Sequence, residues 1–146
     1  MTLSARWSAP VARPFRFVPN MRASDSPPQI FNEIRFQRMS CGDLKSFHEL
    51  ADEYFIDVRT RMRQWPGMRE AREWRRLAEE LHRCKGGAAM FGFERIFALV
   101  GTWEADNRIE KGEIDFNLFI EELEAADEAI SAYRAKEADG RENSIA

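Results

Sequence analysis

The chain has 146 residues and a mass of 17.0 kDa, with 44% hydrophobic and 32% charged residues and a formal net charge of −3. This composition excludes a disordered chain, and the absence of a run of about 18 apolar residues excludes a membrane-spanning segment. Two cysteines, Cys41 and Cys84, indicate a reducing compartment and free thiols. The N-terminus shows no secretory signal, so we expect a cytoplasmic protein.

Residues 1–40 differ in character from the rest of the chain. They hold five of the six prolines and a net charge of +4, whereas residues 41–146 carry −7. Because proline interrupts helices, we expect residues 1–29 to form an extended arm. Its alternating aromatic residues and arginines suit single-stranded nucleic acid, but the favoured interpretation is a leader that is loose or lies along an acidic body. One or two amphipathic turns are predicted from Ile30, Phe31, Ile34 and Met39.

From residue 41 onward, apolar residues recur every three or four positions, as is typical of amphipathic helices. Helices are predicted at about 43–65, 69–91, 93–109 and 115–136, with breaks at Pro66-Gly67, Gly92 and Lys111-Gly112 and an N-cap at Asp115. Four such helices most simply form an all-α, antiparallel up-down-up-down bundle. The predicted domains are a basic, Pro-rich arm over 1–40, a four-helix bundle over 41–137 and a polar, fraying tail over 138–146.

Few residues in this sequence can carry chemistry. It contains no phosphate-binding glycine loop, dinucleotide fingerprint or nucleophile elbow, so we predict no kinase or nucleotide-binding activity. A zinc site fails on geometry, because His82 and Cys84 point about 200° apart on one helix. We predict no metal and no cofactor. The second histidine, His48, lies beside the apolar stripe of the first helix and is expected to be half-buried.

The surroundings of His82 are the most informative part of the sequence. His82 is rotated about 100° from Leu81, a residue of the buried stripe, so its imidazole should face solvent. Glycine inside a helix lowers helix stability by about 1 kcal/mol relative to alanine. Its presence at Gly86 therefore suggests that the position must be free of a side chain to give access to a neighbouring group. Because helical side chains lean toward the N-terminus, Gly86 leaves the ring uncovered, and Lys85 adds a charge that stabilises a phosphoryl group. The pattern predicts a phosphoryl acceptor.

These residues resemble those of a known family. His82, Lys85, Gly86 and Gly92 stand at the spacing H-x-x-K-G-x-x-x-x-x-G, which resembles the histidine-containing phosphotransfer (HPt) domains of bacterial two-component relays. The resemblance covers about 43–136 and includes Glu104 at the end of an apolar run. It implies that His82 is the nucleophile that becomes phosphorylated and that Lys85 supplies a positive charge beside the phosphoryl group. It also implies that Gly86 leaves the imidazole uncovered and that Gly92 forms the turn between the second and third helices. The chain differs at Cys84, where the family tends to have leucine, and at Gly87, where it has serine or alanine.

The resulting prediction is a cytoplasmic phosphocarrier, rather than an independent enzyme, that relays a phosphoryl group between receiver-domain aspartates through His82. Predicted partners are response-regulator receiver domains and a hybrid histidine kinase, with no membrane, and with nucleic acid only as an alternative through the arm. A second alternative is an adaptor bundle that binds signalling partners without being phosphorylated. The predicted docking residues are Arg75, Ala78, Glu79, Gly86 and Ala89.

The arginines before and within the second helix allow two interpretations. Arg69, Arg72, Arg75 and Arg76 either steer an acidic receiver toward the site or form a solvated face paired with Glu73, Glu79 and Glu80. The sequence leaves both open. Cys84 is interpreted as a small core residue rather than a redox switch.

Overall fold

A computed structural model describes residues 26–145 of the chain, and side chains from residue 26 to residue 140. This part is all-helical and contains no strand, which confirms the predicted class. Its six helices are α1 (Glu33–Ser40), α2 (Leu44–Met62), α3 (Trp65–Glu70), α4 (Trp74–Phe91), α5 (Glu94–Ala105) and α6 (Phe116–Ile145). Most of the arm predicted over residues 1–29 lies outside the described residues.

The prediction that Pro66-Gly67 ends the first helix is wrong. The helix ends earlier, at Met62, and both residues lie inside the separate short helix α3, with Pro66 in its first turn. Proline is tolerated there because the first N–H groups of a helix have no intrahelical acceptor. The second predicted helix begins at Trp74 rather than near 69, since Arg72 adopts a left-handed φ of +58° and interrupts the chain before it.

The last two helices also differ from their predicted bounds. The third ends at Ala105 rather than near 109, and the connection turns at Asn107 and Gly112, whose φ angles are +55° and +69°. Asp115 accepts a hydrogen bond from the backbone N–H of Asn117 at 2.9 Å, as expected for an N-cap. The fourth predicted helix continues as α6 to Ile145, beyond the predicted end near 136, so the described part of the tail is helical.

Helix α1 forms where one or two turns were predicted, but the apolar residue that it buries is a different one. Phe36 is fully buried, whereas Ile30, Ile34 and Met39 are exposed. Phe31, which precedes the helix, is buried in the core. The Asn32 side chain caps α1 by accepting a hydrogen bond from the backbone N–H of Arg35. The packed part of the chain therefore begins before residue 41.

All six helices contribute to one apolar core that is rich in aromatic rings. The ring of Phe36 from α1 contacts those of Phe47 and Phe91, with centroids 4.7 and 6.4 Å away. At the opposite end, the ring of Trp65 packs edge-on against Phe119 at 5.1 Å. Each helix is held by the face that it buries, as expected for amphipathic helices.

Polar contacts between α2 and α6 define how these two helices lie. Arg59 of α2 forms ion pairs with Glu124 and Asp127 of α6, and Nε2 of His48 lies 3.0 Å from Oε1 of Glu137. The two helices therefore run in opposite directions. The prediction of a half-buried His48 is wrong, because its side chain is only 4% exposed and the unexpectedly long α6 supplies a carboxylate beside it.

Candidate functional site

His82 lies in the middle of α4 and its side chain is 71% exposed. The neighbouring Leu81 and Cys84 are buried, so α4 turns its apolar stripe inward and His82 outward. A β-carbon placed on Gly86, one turn further along, would meet nothing within 4 Å. Because helical side chains lean toward the N-terminus, the absence of a side chain at 86 keeps the solvent side of the imidazole open.

A carboxylate from the next helix holds the imidazole from the other side. Glu104 of α5 lies with Oε2 2.9 Å from Nδ1 of His82, and its Oε1 accepts a hydrogen bond from Nζ of Lys85 at 2.6 Å. Burial raises the pKa of Glu104, but the hydrogen bonds from Lys85 and His82 lower it more, so the pKa lies below the ordinary value of 4.5. One ionised carboxylate therefore links the histidine and the lysine.

This contact fixes the roles of the two ring nitrogens of His82. An ionised carboxylate only accepts hydrogen bonds, so Nδ1 carries a proton and its N–H donates a hydrogen bond to Glu104. In the neutral imidazole the lone pair then resides on Nε2. Since the ring is exposed and Gly86 leaves it uncovered, that lone pair is accessible to an approaching electrophile.

Lys85 is less exposed than the helical geometry alone indicates. Its side chain is 21% exposed, and Nζ lies 5.2 Å from the ring centroid of Phe97, a partly exposed residue of α5. The ammonium group is thus held between an aromatic face and Glu104 rather than extended into solvent. Its position one turn from His82 keeps a positive charge beside the imidazole.

The sequence marks Glu104 only as the end of an apolar run, and its contacts do not follow from that position. A signal for them exists in the turn at Gly92, which ends α4 with a left-handed φ of +85° and sends the chain back as α5. His82 lies ten residues before Gly92 and Glu104 twelve after it, so an antiparallel pair of helices places them opposite each other. Predicting the contact between His82 and Glu104 therefore requires the position of the turn at Gly92 as well as the helical repeat.

The close packing at Gly92 also explains why glycine stands there. Its φ is in the left-handed region, and a β-carbon would come within 2.7 Å of the backbone oxygen of Asn32. The backbone N–H of Asn32 donates to the Gly92 carbonyl at 2.8 Å. The segment before α1 is therefore joined to the turn between α4 and α5.

The predicted docking residues share the exposed side of α4 with His82. Arg75, Glu79 and Gly86 are exposed, and Ala78 and Ala89 are partly exposed. The carbonyl of Ala89 accepts a hydrogen bond from Nε of Arg35 at 2.6 Å, so α1 borders this side at its C-terminal end. Ala78, Gly86 and Ala89 place small side chains around the imidazole, and Arg75 and Glu79 lie toward the N-terminal end of the same side.

The four arginines before and within α4 do not behave alike. Arg69 donates to the Ile114 carbonyl at 2.7 Å and stacks over Phe116, which is a packing role. Arg76 pairs with Glu73 at 3.2 Å. Glu80 pairs with Arg61 of α2 instead of with an arginine of its own helix. Arg72 and Arg75 form no ion pair with another described residue.

The described residues contain no group of three or more histidine, cysteine or acidic side chains placed to hold a metal ion. None of their helices is both long enough and apolar enough to cross a bilayer. Cys41 is exposed and Cys84 is buried, and both are free thiols.

A family model described as Hpt domain matches residues 44–133, which is more than half of the chain. The chain belongs to the Hpt domain family. No curated protein and no solved structure gives a significant match. Membership of this family indicates a phosphotransfer role in two-component systems, and it places His82 and Glu104 within the matched part of the Hpt domain.

Proposed function

We propose that this Hpt domain relays a phosphoryl group between aspartates of receiver domains through Nε2 of His82. The observation that carries the proposal is the exposed imidazole whose Nδ1 is held 2.9 Å from Glu104. A histidine fixed in this way presents one nitrogen lone pair to solvent in a defined direction, which in-line phosphoryl transfer requires. The four long helices α2, α4, α5 and α6 form, in this proposal, the antiparallel up-down-up-down bundle that carries it.

The proposed step moves the phosphoryl group from an aspartate of the receiver to Nε2 of His82. The Nε2 lone pair attacks the phosphorus of the receiver's aspartyl phosphate, the bond from phosphorus to the carboxyl oxygen breaks, and that oxygen leaves with the electron pair as a carboxylate. The imidazole then carries a phosphoryl group on Nε2 and a proton on Nδ1, so the ring is positively charged. The Glu104 carboxylate faces this charge, and Lys85 supplies a nearby cation for the phosphoryl oxygens. Transfer to the next receiver reverses these steps.

The proposed partners are receiver domains and a hybrid histidine kinase, and the proposed compartment is the cytoplasm. An acceptor without its own nucleotide site depends on another protein for the phosphoryl group, and both thiols are free, which fits a reducing environment. The alternative of nucleic-acid binding through the arm stays a prediction, because most of the arm lies outside the described residues.

Labelling by phosphorylated receivers tests the proposal. A panel of receiver domains is charged with radiolabelled acetyl phosphate and mixed with the full chain, with His82→Gln and with Arg83→Gln as a matched control at the adjacent exposed position. We expect acid-labile label on the full chain and the control, and none on His82→Gln. Label that persists in His82→Gln refutes the site. A chain that binds receivers but takes no label from any of them supports the adaptor alternative.

A separate measurement tests the positioning role of Glu104. The ¹⁵N chemical shifts of His82 should report a proton on Nδ1 in the neutral ring, and Glu104→Ala should shift the population toward the Nε2–H form while slowing transfer by about ten- to a hundredfold. A merely structural role would reduce stability without changing the tautomer. An unchanged tautomer in Glu104→Ala contradicts the proposed role.

A further inference from the structure

A shallow pocket lies at the N-terminal end of α4, away from the imidazole. Its volume is about 570 Å³, and its lining consists of Arg72, Glu73, Trp74, Arg75, Arg76 and Glu79. The proposed transfer step uses none of these residues. The pocket is therefore available for a role other than the chemical step at His82.

The pocket opens on the same side of α4 as His82. Arg75 precedes His82 by seven residues, which is close to two full helical turns, so the two side chains point within about 20° of each other and lie about 10 Å apart along the axis. A transient interface buries up to about 600 Å² on each partner, and a round patch of that area reaches about 14 Å from its centre. A protein whose contact patch is centred on His82 therefore also reaches Arg75.

The lining of the pocket holds three arginines and two glutamates, so its charges are only partly balanced and sum to +1. Arg76 pairs with Glu73 at 3.2 Å, whereas Arg72, Arg75 and Glu79 form no ion pair with another described residue. Arg75 is exposed, and so is Arg72, whose backbone is fixed in a left-handed turn with φ +58°. Two guanidinium groups thus border the pocket with their hydrogen-bond donors unused by the described part of the chain.

Trp74 gives the pocket an apolar wall. A β-carbon placed on Gly112 would lie 3.3 Å from the indole ring, so the ring lies against the connection between α5 and α6. An aromatic wall beside planar guanidinium groups favours an acidic side chain, since a carboxylate accepts two parallel hydrogen bonds from arginine. A basic side chain would add to the net positive charge of the pocket, and a purely apolar one would leave the two arginines unpaired.

We propose that this pocket is a specificity subsite that receives an acidic side chain of the receiver domain while the receiver's phosphorylated aspartate lies at His82. The inference rests on the proposed function and adds the chemistry by which one receiver is preferred over another. A receiver with an acidic residue at the matching position docks with its phosphoryl group in line, and one with a basic residue there is repelled.

Charge reversal at the pocket tests the subsite. The probe is the phosphorylated receiver that labels His82 fastest in the panel described above, and the variants are Arg75→Glu, Arg75→Lys and Arg83→Glu. Arg83→Glu makes the same change of net charge on the same helix, next to His82 but outside the pocket. We expect Arg75→Glu to lower kcat/KM by about tenfold or more. Arg75→Lys should lower it less, because lysine keeps the charge but cannot donate two parallel hydrogen bonds, and Arg83→Glu should have a smaller effect than Arg75→Glu.

Two readouts separate this inference from the proposed function. Phosphoramidate is a small donor that transfers its phosphoryl group to imidazole with release of ammonia, and it should label Arg75→Glu as fast as the unaltered chain. Exchanging the matching acidic residue of the receiver for lysine should restore transfer to Arg75→Glu. Equal losses in Arg75→Glu and Arg83→Glu, or no loss in either while His82 is labelled, overturn the subsite alone. Failure of every receiver to label His82 overturns the proposed function and the subsite together.

Discussion

The ring of Tyr54 occupies the space that a β-carbon of residue 87 would fill. The Tyr54 hydroxyl donates to the Cys84 carbonyl at 2.8 Å, and the ring also packs against Phe91 and Phe93, with centroids 5.5 and 5.8 Å away. The ring is therefore fixed at both its edge and its tip. This contact accounts for glycine at a position where the resemblance implies serine or alanine.

We predict that Gly87→Ala destabilises the protein by about 1–3 kcal/mol, although alanine is the better helix former, because Tyr54 must move out of a packed environment. The control is Gly86→Ala, where a β-carbon meets nothing and stability should rise by up to about 1 kcal/mol. Chemical denaturation measures both. If Gly87→Ala were as stable as Gly86→Ala, the contact with Tyr54 would not constrain this position.

Access to the imidazole of His82 should depend on the size of the side chain at residue 86. Gly86→Leu should keep the fold and its stability, since the position faces open space and leucine favours helix, yet it should slow phosphoryl transfer strongly. Gly86→Ala should transfer at nearly the rate of the unaltered chain. Initial rates with a phosphorylated receiver check both, and equal rates for all three chains would disprove the clearance role of Gly86.

The lowered pKa of Glu104 predicts a dependence of stability on pH. A carboxyl whose pKa is lower in the folded than in the unfolded chain stabilises the fold above its unfolded pKa, and this stabilisation is lost as the pH falls through the folded pKa. The difference in unfolding free energy between the unaltered chain and Glu104→Gln should be constant near neutral pH and shrink below about pH 4.5. In Lys85→Met, carboxyl NMR titration should show a higher pKa for Glu104. A pKa unchanged by that substitution would exclude Lys85 as a cause.

The buried contact between His48 and Glu137 predicts a role in attaching the C-terminal half of α6 to α2. Glu137→Ala removes the partner of a buried imidazole and should cost about 1–3 kcal/mol of unfolding free energy, whereas Glu137→Gln, which still offers a hydrogen bond, should cost less. The matched control is Glu128→Ala, an exposed glutamate on the same helix without an ion pair to another described residue. Similar values for Glu137→Ala and Glu128→Ala would show that the contact contributes nothing.

The two cysteines should differ in reactivity. Burial raises the pKa of the Cys84 thiol to about 12, so it forms almost no thiolate near neutral pH, whereas Cys41 is exposed. Titration with a chromogenic disulfide should detect one thiol in the folded chain, two in denaturant and none in folded Cys41→Ser. Rapid reaction of Cys84 in the folded protein would reopen the interpretation of this residue as a redox switch.

Periodicity in the sequence predicts much of the core because the apolar spacing directly reflects the helical repeat. The apolar stripe predicted for the second helix contains Leu81, which is buried, as are Leu77 one turn before it and Ala88 two turns after it. The same rotation around α4 predicts the exposure of His82. Helix ends are harder to predict, since the turns at Arg72 and Asn107 use left-handed conformations that non-glycine residues seldom adopt.

Contacts between helices account for what the sequence did not predict. Glu104 meets His82 only because the turn at Gly92 reverses the chain, and His48 meets Glu137 only because α6 continues past residue 136. Neither partner follows from the spacing within a single helix. The motif around His82 could be recognised because Lys85 and Gly86 lie within one turn of it on the same helix. The carboxylate of Glu104 comes from another helix, so the spacing along α4 does not reveal it.

The attachment of the segment before α1 bears on where an autonomous folding unit begins. The family match starts at residue 44, yet Glu94 accepts hydrogen bonds from the backbone of Gln29 and the side chain of Asn32, and Phe36 fills the core beside Phe91. A fragment cut at the start of the match would lack Phe36, expose the ring of Phe91 to water and leave Glu94 in the first turn of α5 without these hydrogen bonds. The segment that matches the family model is thus shorter than the segment that packs as one unit, and recombinant truncations of this chain should begin no later than residue 29.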